Sequence, residues 1–291
     1  MNRSSGPKGR KPPGRDGAGK DRRPSGRGSG NFRTKSFARG NAPIGNQGPA
    51  ARSEPGLIRL NKYIANAGIC SRREADTYIA AGNVTVNGRS VTEMGYQVRP
   101  SDEVRFDGRL IKAEKKEYIL LNKPKNFITT TKDEQGRRTV MELISSASRA
   151  RLVPVGRLDR NTTGLLLFTN DGELAKKLTH PKHGVRKIYH VELNRVLKTA
   201  DLQQIRDGVE LEDGPIRADE VSYIDGATKR EVGIEVHSGR NRIVRRIFEH
   251  LGYEVVKLDR VVFAGLTKKD LPRGHWRPLT KQEVINLSMI Q

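Results

Sequence analysis

The chain has 291 residues, with 55 Lys plus Arg against 33 Asp plus Glu and a net charge of +22 with histidine neutral. A field of that sign attracts phosphate backbones or anionic surfaces and says nothing of fold. The absence of any run of about 18 apolar residues excludes a membrane-spanning helix, and the single cysteine, Cys70, permits no internal disulfide and points to a reducing cytoplasm.

Residues 1–56 hold 13 basic and 3 acidic side chains, 12 Gly and 7 Pro, and almost no branched apolar residue. Such a stretch cannot bury enough surface to offset an ordering entropy of roughly 1–2 kcal/mol per residue, so a disordered basic tail is expected. No apolar stretch follows its first charges, which argues against a secretory signal. The remaining length suits two folded units.

In the first unit, residues 57–112, Leu60, Ile64 and Ala67 recur at helical spacing and Gly68 ends the run. Ser71 and Glu74 make a capping box for a second short helix, with Ala75, Tyr78 and Ile79 as its buried stripe and Gly82 just past its end. Lys62, Arg72 and Arg73 are left facing outward. Residues 84–89 read as a strand entering an Asn87-Gly88 turn, and residues 99–109 supply another with a turn at Asp107-Gly108.

The second unit, residues 117–290, opens with a core strand over 117–122 that Lys123-Pro124 ends, because proline lacks an amide donor and restricts the residue before it. Residues 125–140 are polar and read as a surface loop. Residues 164–169, Gly-Leu-Leu-Leu-Phe-Thr, suit a strand covered on both faces. Asn170 is expected to cap the helix that follows, with Glu173 at the capping-box position and Leu174 and Leu178 inward.

Asp159 therefore falls in a loop feeding a buried strand, between Arg157 and Arg160. A carboxylate kept among cations in a chain built for a polyanion points to chemistry, and loops held by rigid elements commonly carry catalytic groups. The plain alternative is a turn cap that accepts backbone amides, a frequent role for aspartate. Residues 187–193 alternate as a strand with Tyr189, Val191 and Leu193 on one face. Tyr189 is then either a packed core ring or a ring at a pocket edge, able to stack on a base.

The strongest basic patch follows at 237–252, where Arg240, Arg242, Arg245 and Arg246 flank a helical stripe of Val244, Ile247, Phe248 and Leu251. Guanidinium groups so placed serve a solvated face, a phosphate, or a carboxylate that must stay ionised, and a partner for Asp159 can come from this helix. Residues 253–258 return as a strand, and Thr280 with Glu283 caps a last helix. Trp276 either anchors this end of the unit or touches RNA.

The run Arg59-Leu-Asn-Lys-Tyr-Ile-Ala, then Gly68-Ile-Cys-Ser-Arg-Arg-Glu-Ala, then Gly82-Asn-Val-Thr-Val-Asn-Gly resembles the S4-like RNA-binding domain across residues 58–105. Gly156-Arg-Leu-Asp159, followed by Thr163-Gly-Leu-Leu and Thr169-Asn-Asp-Gly172, resembles the RNA pseudouridine synthases. Lys123-Pro124, Lys187-Ile-Tyr189 and Gly239-Arg-Asn-Arg to Arg245-Arg246 occur in the same order, and the match covers residues 57–285. It is most similar to the branch that modifies ribosomal RNA, its large-subunit members above all. The chain departs from that pattern at Ile243, where many relatives carry Gln, and at Asn126, where Gly is usual.

The resemblance implies an α+β protein, with a small S4-like domain followed by a catalytic domain built on a mixed, mostly antiparallel central sheet. It implies isomerisation of uridine to pseudouridine in 23S ribosomal RNA or a large-subunit precursor, with no cofactor and no metal. Asp159 would be the nucleophile, Tyr189 would stack beneath the uracil, Arg245 would pair with the aspartate, and Leu258 and Arg157 would belong to the pocket. Lys62, Arg72, Arg73, Arg240, Arg242 and Arg246 would face the RNA, and a monomer is expected. Attack at the ribose C1′ and deprotonation at C2′ both stay open. From another class, a noncatalytic RNA-binding ribosome-assembly factor also fits the basic tail and S4-like unit.

Overall fold

In the computed structural model residues 56–290 are described, and the tail expected over 1–56 lies, apart from Gly56, outside them. The chain begins with β1 (Ile58–Arg59), α1 (Leu60–Asn66) and α2 (Arg72–Ala80). The capping box forms as the sequence dictates: the Ser71 hydroxyl accepts the Glu74 amide at 3.2 Å, and the Glu74 carboxylate accepts the Ser71 amide at 2.8 Å. β2 (Val84–Val86), β3 (Arg89–Ser90), β4 (Gln97–Val98), β5 (Val104–Phe106) and β6 (Arg109–Leu110) follow. β4 pairs with β1, a contact between segments that carry no joint signal in the sequence. Both hairpin turns need two left-handed residues, and Asn87-Gly88 (φ 49° and 76°) and Asp107-Gly108 (46° and 77°) supply them.

Leu60, Ile64, Ala75, Ile79, Val84, Val98 and Val104 are the core of this unit. Tyr78, expected in that core, is 41% exposed. Ala75 and Ile79 already fill the inward face of α2, so the tyrosine ring lies over the sheet rim and meets Phe106 edge-on at 5.2 Å.

The larger part begins with β7 (Tyr118–Lys123), α3 (Val140–Leu143), β8 (Val153–Pro154), β9 (Thr163–Thr169) and α4 (Gly172–Thr179). β10 (Lys187–Leu193), α5 (Thr199–Asp207), β11 (Val209–Leu211), β12 (Gly214–Ile216), β13 (Glu220–Tyr223) and β14 (Glu231–Val236) come next. It ends with α6 (Ile243–His250), β15 (Val255–Phe263), β16 (Leu266–Thr267), β17 (Trp276–Pro278) and α7 (Lys281–Met289). The central sheet runs β13-β14-β10-β15-β9-β7-β17, with β8 on β9 and β16 on β15. β9 and β15 run parallel, whereas the other described pairs of this sheet are antiparallel.

The two halves of the sheet are covered differently. Around β7 and β9, Leu120, Leu165 and Leu167 pack on Leu174 and Leu178, while Ile119, Leu121, Leu166 and Phe168 pack on Phe127, Val140 and Leu158. Two covered faces are the reason for the unbroken apolar run at 164–168. Around β10 and β14 one face is apolar, with Val191, Leu193, Val232 and Ile234 beneath Val244, Ile247 and Phe248 of α6. The reverse face carries polar pairs, the His190 ring with the Glu231 carboxylate at 2.9 Å and Lys257 with Glu192 at 2.6 Å.

The cap of α4 differs from expectation. Asp171 accepts the amides of Glu173 and Leu174 at 3.2 and 3.3 Å, while the Asn170 side chain binds the Glu117 amide and the Lys115 carbonyl, each at 2.9 Å. Asn170 is thereby committed to the segment that leads into β7, and the next residue takes the cap.

Gly164 stands where β9 runs parallel to β15. Its φ is +105°, and a Cβ there would lie 2.2 Å from the carbonyl oxygen of Arg260. Gly164→Ala must separate the strands as well as strain the backbone, and a loss of about 3 kcal/mol or more is expected from the urea midpoint. A loss under about 1 kcal/mol would mean that the junction is more compliant than its geometry implies.

Candidate active site

Three of the apolar clusters meet along one cleft of about 190 Å3. Val155, Leu178, Val185 and Phe263 come from one, Leu158 from the second, and Ile243, Val244 and Leu258 from the third. Into this apolar seat project Arg157, Asp159, Lys187, Tyr189, Arg240, Arg242 and Arg260. Apolar walls with a few convergent polar groups are the usual make-up of a small-ligand site.

Asp159 lies in the loop between β8 and β9, with its side chain 39% exposed. Among the described residues its carboxylate accepts no backbone amide; the Thr162 amide donates to its main-chain carbonyl at 3.1 Å. The turn-cap alternative therefore does not apply. The carboxylate instead faces Arg242, with Nη1 to Oδ2 at 3.7 Å.

That loop is fastened from behind by the last residue of β7 and the segment that follows it. The Lys123 ammonium, fully buried, donates to the carbonyls of Thr162 at 2.8 Å, Asp159 at 3.0 Å and Pro124 at 3.1 Å, with Arg160 at 3.3 Å. The Asn126 amide donates to the Arg160 carbonyl at 2.9 Å, and the Thr129 hydroxyl to the Leu158 carbonyl at 2.8 Å. The start of the polar stretch at 125–140 is thus a brace for Asp159 as well as a surface. Asn126 has a φ of +71°, a conformation that asparagine tolerates and glycine adopts freely, so its departure from the expected glycine leaves the loop shape intact. Burial pushes the Lys123 ammonium down to about 8, against the pull of the Asp159 charge.

Tyr189 is half-buried on β10, opposite Arg260 of β15, and its ring packs on two of the clusters. It is a cleft residue with an apolar backing. Leu258 is buried in the cleft wall and Arg157 is exposed at its edge. Trp276, on the edge strand β17, packs against the β7 and β9 core and anchors that end.

The arginines sort in a way the helical wheel did not reveal. α6 starts only at Ile243, and Arg242 precedes it in a left-handed conformation, φ 48°, with Nη2 3.2 Å from Glu249. Arg242, rather than Arg245, is the guanidinium within ion-pair distance of Asp159. Arg245 is 9% exposed behind the cleft wall, where its Nη1 donates to the Val255 carbonyl at 2.8 Å. Burial and the Arg242 charge lower its pKa, and the Asp159 charge opposes them.

Among the described residues two buried polar side-chain atoms lack a partner, Thr162 Oγ1 and Arg245 Nε. Both belong to groups around Asp159. Arg246 is engaged by Asp213 at 2.6 and 3.0 Å, and Arg240 donates to the Gly214 carbonyl at 2.9 Å.

Sequence reasoning missed three cations here. Arg260 is 3% exposed, donates twice to the Leu165 carbonyl at 2.7 and 2.9 Å, and lies 4.4 Å over the Phe263 ring. Desolvation lowers its pKa. The signal was an arginine two residues from both Leu258 and Val262, in a strand that runs on to Phe263 rather than stopping at Leu258. Lys123 and Lys187 were legible only as members of the runs Lys123-Pro124 and Lys187-Ile-Tyr189, which do not say what their ammonium groups hold.

In the small unit Arg72 and Arg73 stand exposed on the first turn of α2. Lys62 is instead paired with Glu173 of α4, and Lys132 with Glu74 at 2.7 Å. The described residues contain no group of three or more His, Cys, Asp or Glu placed to hold a metal, and no helix long and apolar enough to cross a membrane.

A mixed sheet with an aspartate loop opening on an arginine-lined cleft, preceded by a small basic helix-and-hairpin unit, defines a class of RNA-modifying enzyme. The chain belongs to the RNA pseudouridylate synthase family and is an isomerase that converts uridine in RNA to pseudouridine: the family pattern matches residues 117–250, and an S4 domain pattern matches residues 58–104. It is 40% identical over 234 residues to the ribosomal large subunit pseudouridine synthase B of Bacillus subtilis, covering 79% of this chain and 96% of that protein. It is 37% identical to the dual-specificity RNA pseudouridine synthase RluF of Escherichia coli, over 79% of this chain and 78% of that one. A crystal structure of a pseudouridylate synthase matches 79% of this chain and 99% of its own with a TM-score of 0.57 and 30% identity.

Proposed function

We propose that the protein isomerises uridine in 23S ribosomal RNA or its large-subunit precursor, with Asp159 as the nucleophile. The observation that carries this reading is the Asp159 carboxylate, free of backbone amides, open to the cleft and met by a guanidinium. The large-subunit specificity named for the Bacillus subtilis relative supports the choice of RNA. The enzyme must break a C–N glycosidic bond, turn the uracil and form a C–C bond at C5; substrate and product are isomers, so no redox partner enters. Attack at C1′ and proton removal at C2′ both require the ionised carboxylate, which Arg242 and Arg245 favour against the field of the RNA phosphates.

Taking the uridine out of its stack costs a few kcal/mol. The Tyr189 ring returns about 1–3 kcal/mol by stacking, over a wall formed by Leu258. Arg157, Arg240 and Arg242 at the cleft, and Arg72 and Arg73 on α2, meet phosphates. Lys62 joins them by leaving Glu173, and Arg246 by leaving Asp213; exposed pairs of that kind contribute no more than about 1 kcal/mol each. Residues 57–112 and 117–290 act as two RNA-contacting units in a cytoplasmic monomer, and site choice comes from RNA shape read by both.

The test is incubation with ribosomal RNA from cells lacking the protein, followed by mass spectrometry and carbodiimide mapping. New pseudouridine in 23S RNA and none in 16S RNA is the expected result. No new pseudouridine in either RNA would end this reading, and modification confined to 16S RNA would move the substrate to the small subunit.

A further inference from the structure

One wall of the cleft hangs on a half-buried lysine to which neither the reaction nor RNA contact assigns a task. Lys187 begins β10 on the same face as Tyr189 and lines the cleft. Its ammonium donates to the carbonyls of His237 at 2.7 Å and Val185 at 3.0 Å, with Ser238 at 3.5 Å. No carboxylate lies within ion-pair distance of it among the described residues. The acid whose charge acts on it, Asp219, is engaged by His237 Nδ1 at 2.7 and 2.9 Å.

The carbonyls that Lys187 holds are the root of a short irregular segment. β14 ends at Val236 and α6 starts at Ile243, and between them the chain carries Arg240 and Arg242. Farther along, Arg240 is tied to the Gly214 carbonyl and Arg242 to Glu249. At 237 and 238 the attachment to β10 is the Lys187 ammonium.

We propose that Lys187 is a positioning residue: its ammonium fixes the root of the 237–242 segment and so sets where Arg240 and Arg242 meet the RNA beside Asp159. An ammonium presents three N–H donors to the three carbonyls. A neutral amine has two donors and a lone pair, so one contact becomes repulsion between oxygen and nitrogen lone pairs. Loss of that proton therefore loosens the segment without breaking the chain's core.

Burial, with the Arg260 charge adding to it, brings Lys187 down to about 8, so the switch lies within reach of ordinary assays. The charged groups facing it are Arg260 from β15, Asp219 just before β13, His237 just after β14, His180 past α4, and Arg157 and Asp159 across the cleft. The sign of global stability runs the other way. In the unfolded chain the amine keeps its proton to about pH 10.4, so between the two values the unfolded state binds more protons and this group favours the fold as pH rises. The loosening is local, and melting does not report it.

This inference rests on the cleft being the RNA site, and the experiment separates the two. RNA binding is measured with a large-subunit ribosomal RNA transcript in the full chain carrying Asp159→Asn, to prevent turnover, alone and with Lys187→Arg or Lys187→Met. With Lys187 intact, Kd should rise about tenfold between roughly pH 7 and 9.5 while Tm does not fall in step. Lys187→Arg keeps a cation that stays charged throughout, so its Kd should rise clearly less over that range than the parent's. Lys187→Met should bind about tenfold more weakly than the parent at pH 7, and the two should converge by about pH 9.5.

The same pH dependence of Kd in Lys187→Arg, or a Lys187→Met Kd within about twofold of the parent at pH 7, would overturn the proposal. Failure of the function reading is visible separately, as absence of pseudouridine formation by the unmutated chain.

Discussion

Asp159→Asn is expected to lower pseudouridine formation by about 10,000-fold or more, a barrier increase of roughly 5 kcal/mol. Asparagine keeps the shape of the side chain and removes the charge that either chemical route needs. Because the carboxylate is partly exposed and meets only Arg242 at 3.7 Å, stability should change by no more than about 0.5 kcal/mol. RNA binding should persist or strengthen, since one negative charge leaves a cationic cleft. Single-turnover rates on 23S transcript, with filter binding beside them, decide the matter. A rate within about tenfold of the parent would remove Asp159 from the chemistry and would revive the noncatalytic assembly role.

The second large effect is expected at Lys123. Lys123→Met fills the same space with an apolar chain and leaves the Asp159, Thr162 and Pro124 carbonyls without their donor. Each unmet buried acceptor costs about 1–3 kcal/mol, partly offset because the buried ammonium no longer has to be desolvated. A net loss of about 3 kcal/mol, or roughly 6–12 °C in Tm for a protein of this size, is expected. Misplacing the carboxylate by about 1 Å should reduce kcat about 100-fold with little change in KM, because the RNA-facing arginines stay where they are. Urea unfolding and steady-state kinetics separate the two effects. A lower Tm with an unchanged kcat would make Lys123 a support of the fold and leave the Asp159 loop to Asn126 and Thr129.

The local features of this chain were legible because neighbouring residues enforce them. Ser71 with Glu74 and Thr280 with Glu283 form capping boxes, and Asn87-Gly88 and Asp107-Gly108 turn hairpins, whatever the rest of the molecule does. The cap of α4 was misplaced by one residue because Asn170 was already committed to the distant backbone at Lys115 and Glu117. Tyr78 was misplaced because helical periodicity gives a direction but not how much core remains to receive a side chain.

By its sequence alone the chain declared its family pattern, the order of its elements and the acidic residue to suspect, since these depend on residue type and short spacing. Only the tertiary structure decided that Arg242 and not Arg245 meets that residue, that Lys123 holds its loop and Lys187 the opposite wall, and that Arg260 lies beneath. Those contacts join segments far apart in the chain. Their partners are chosen by how the strands stack and where three apolar clusters meet, and no local pattern of residues encodes that meeting.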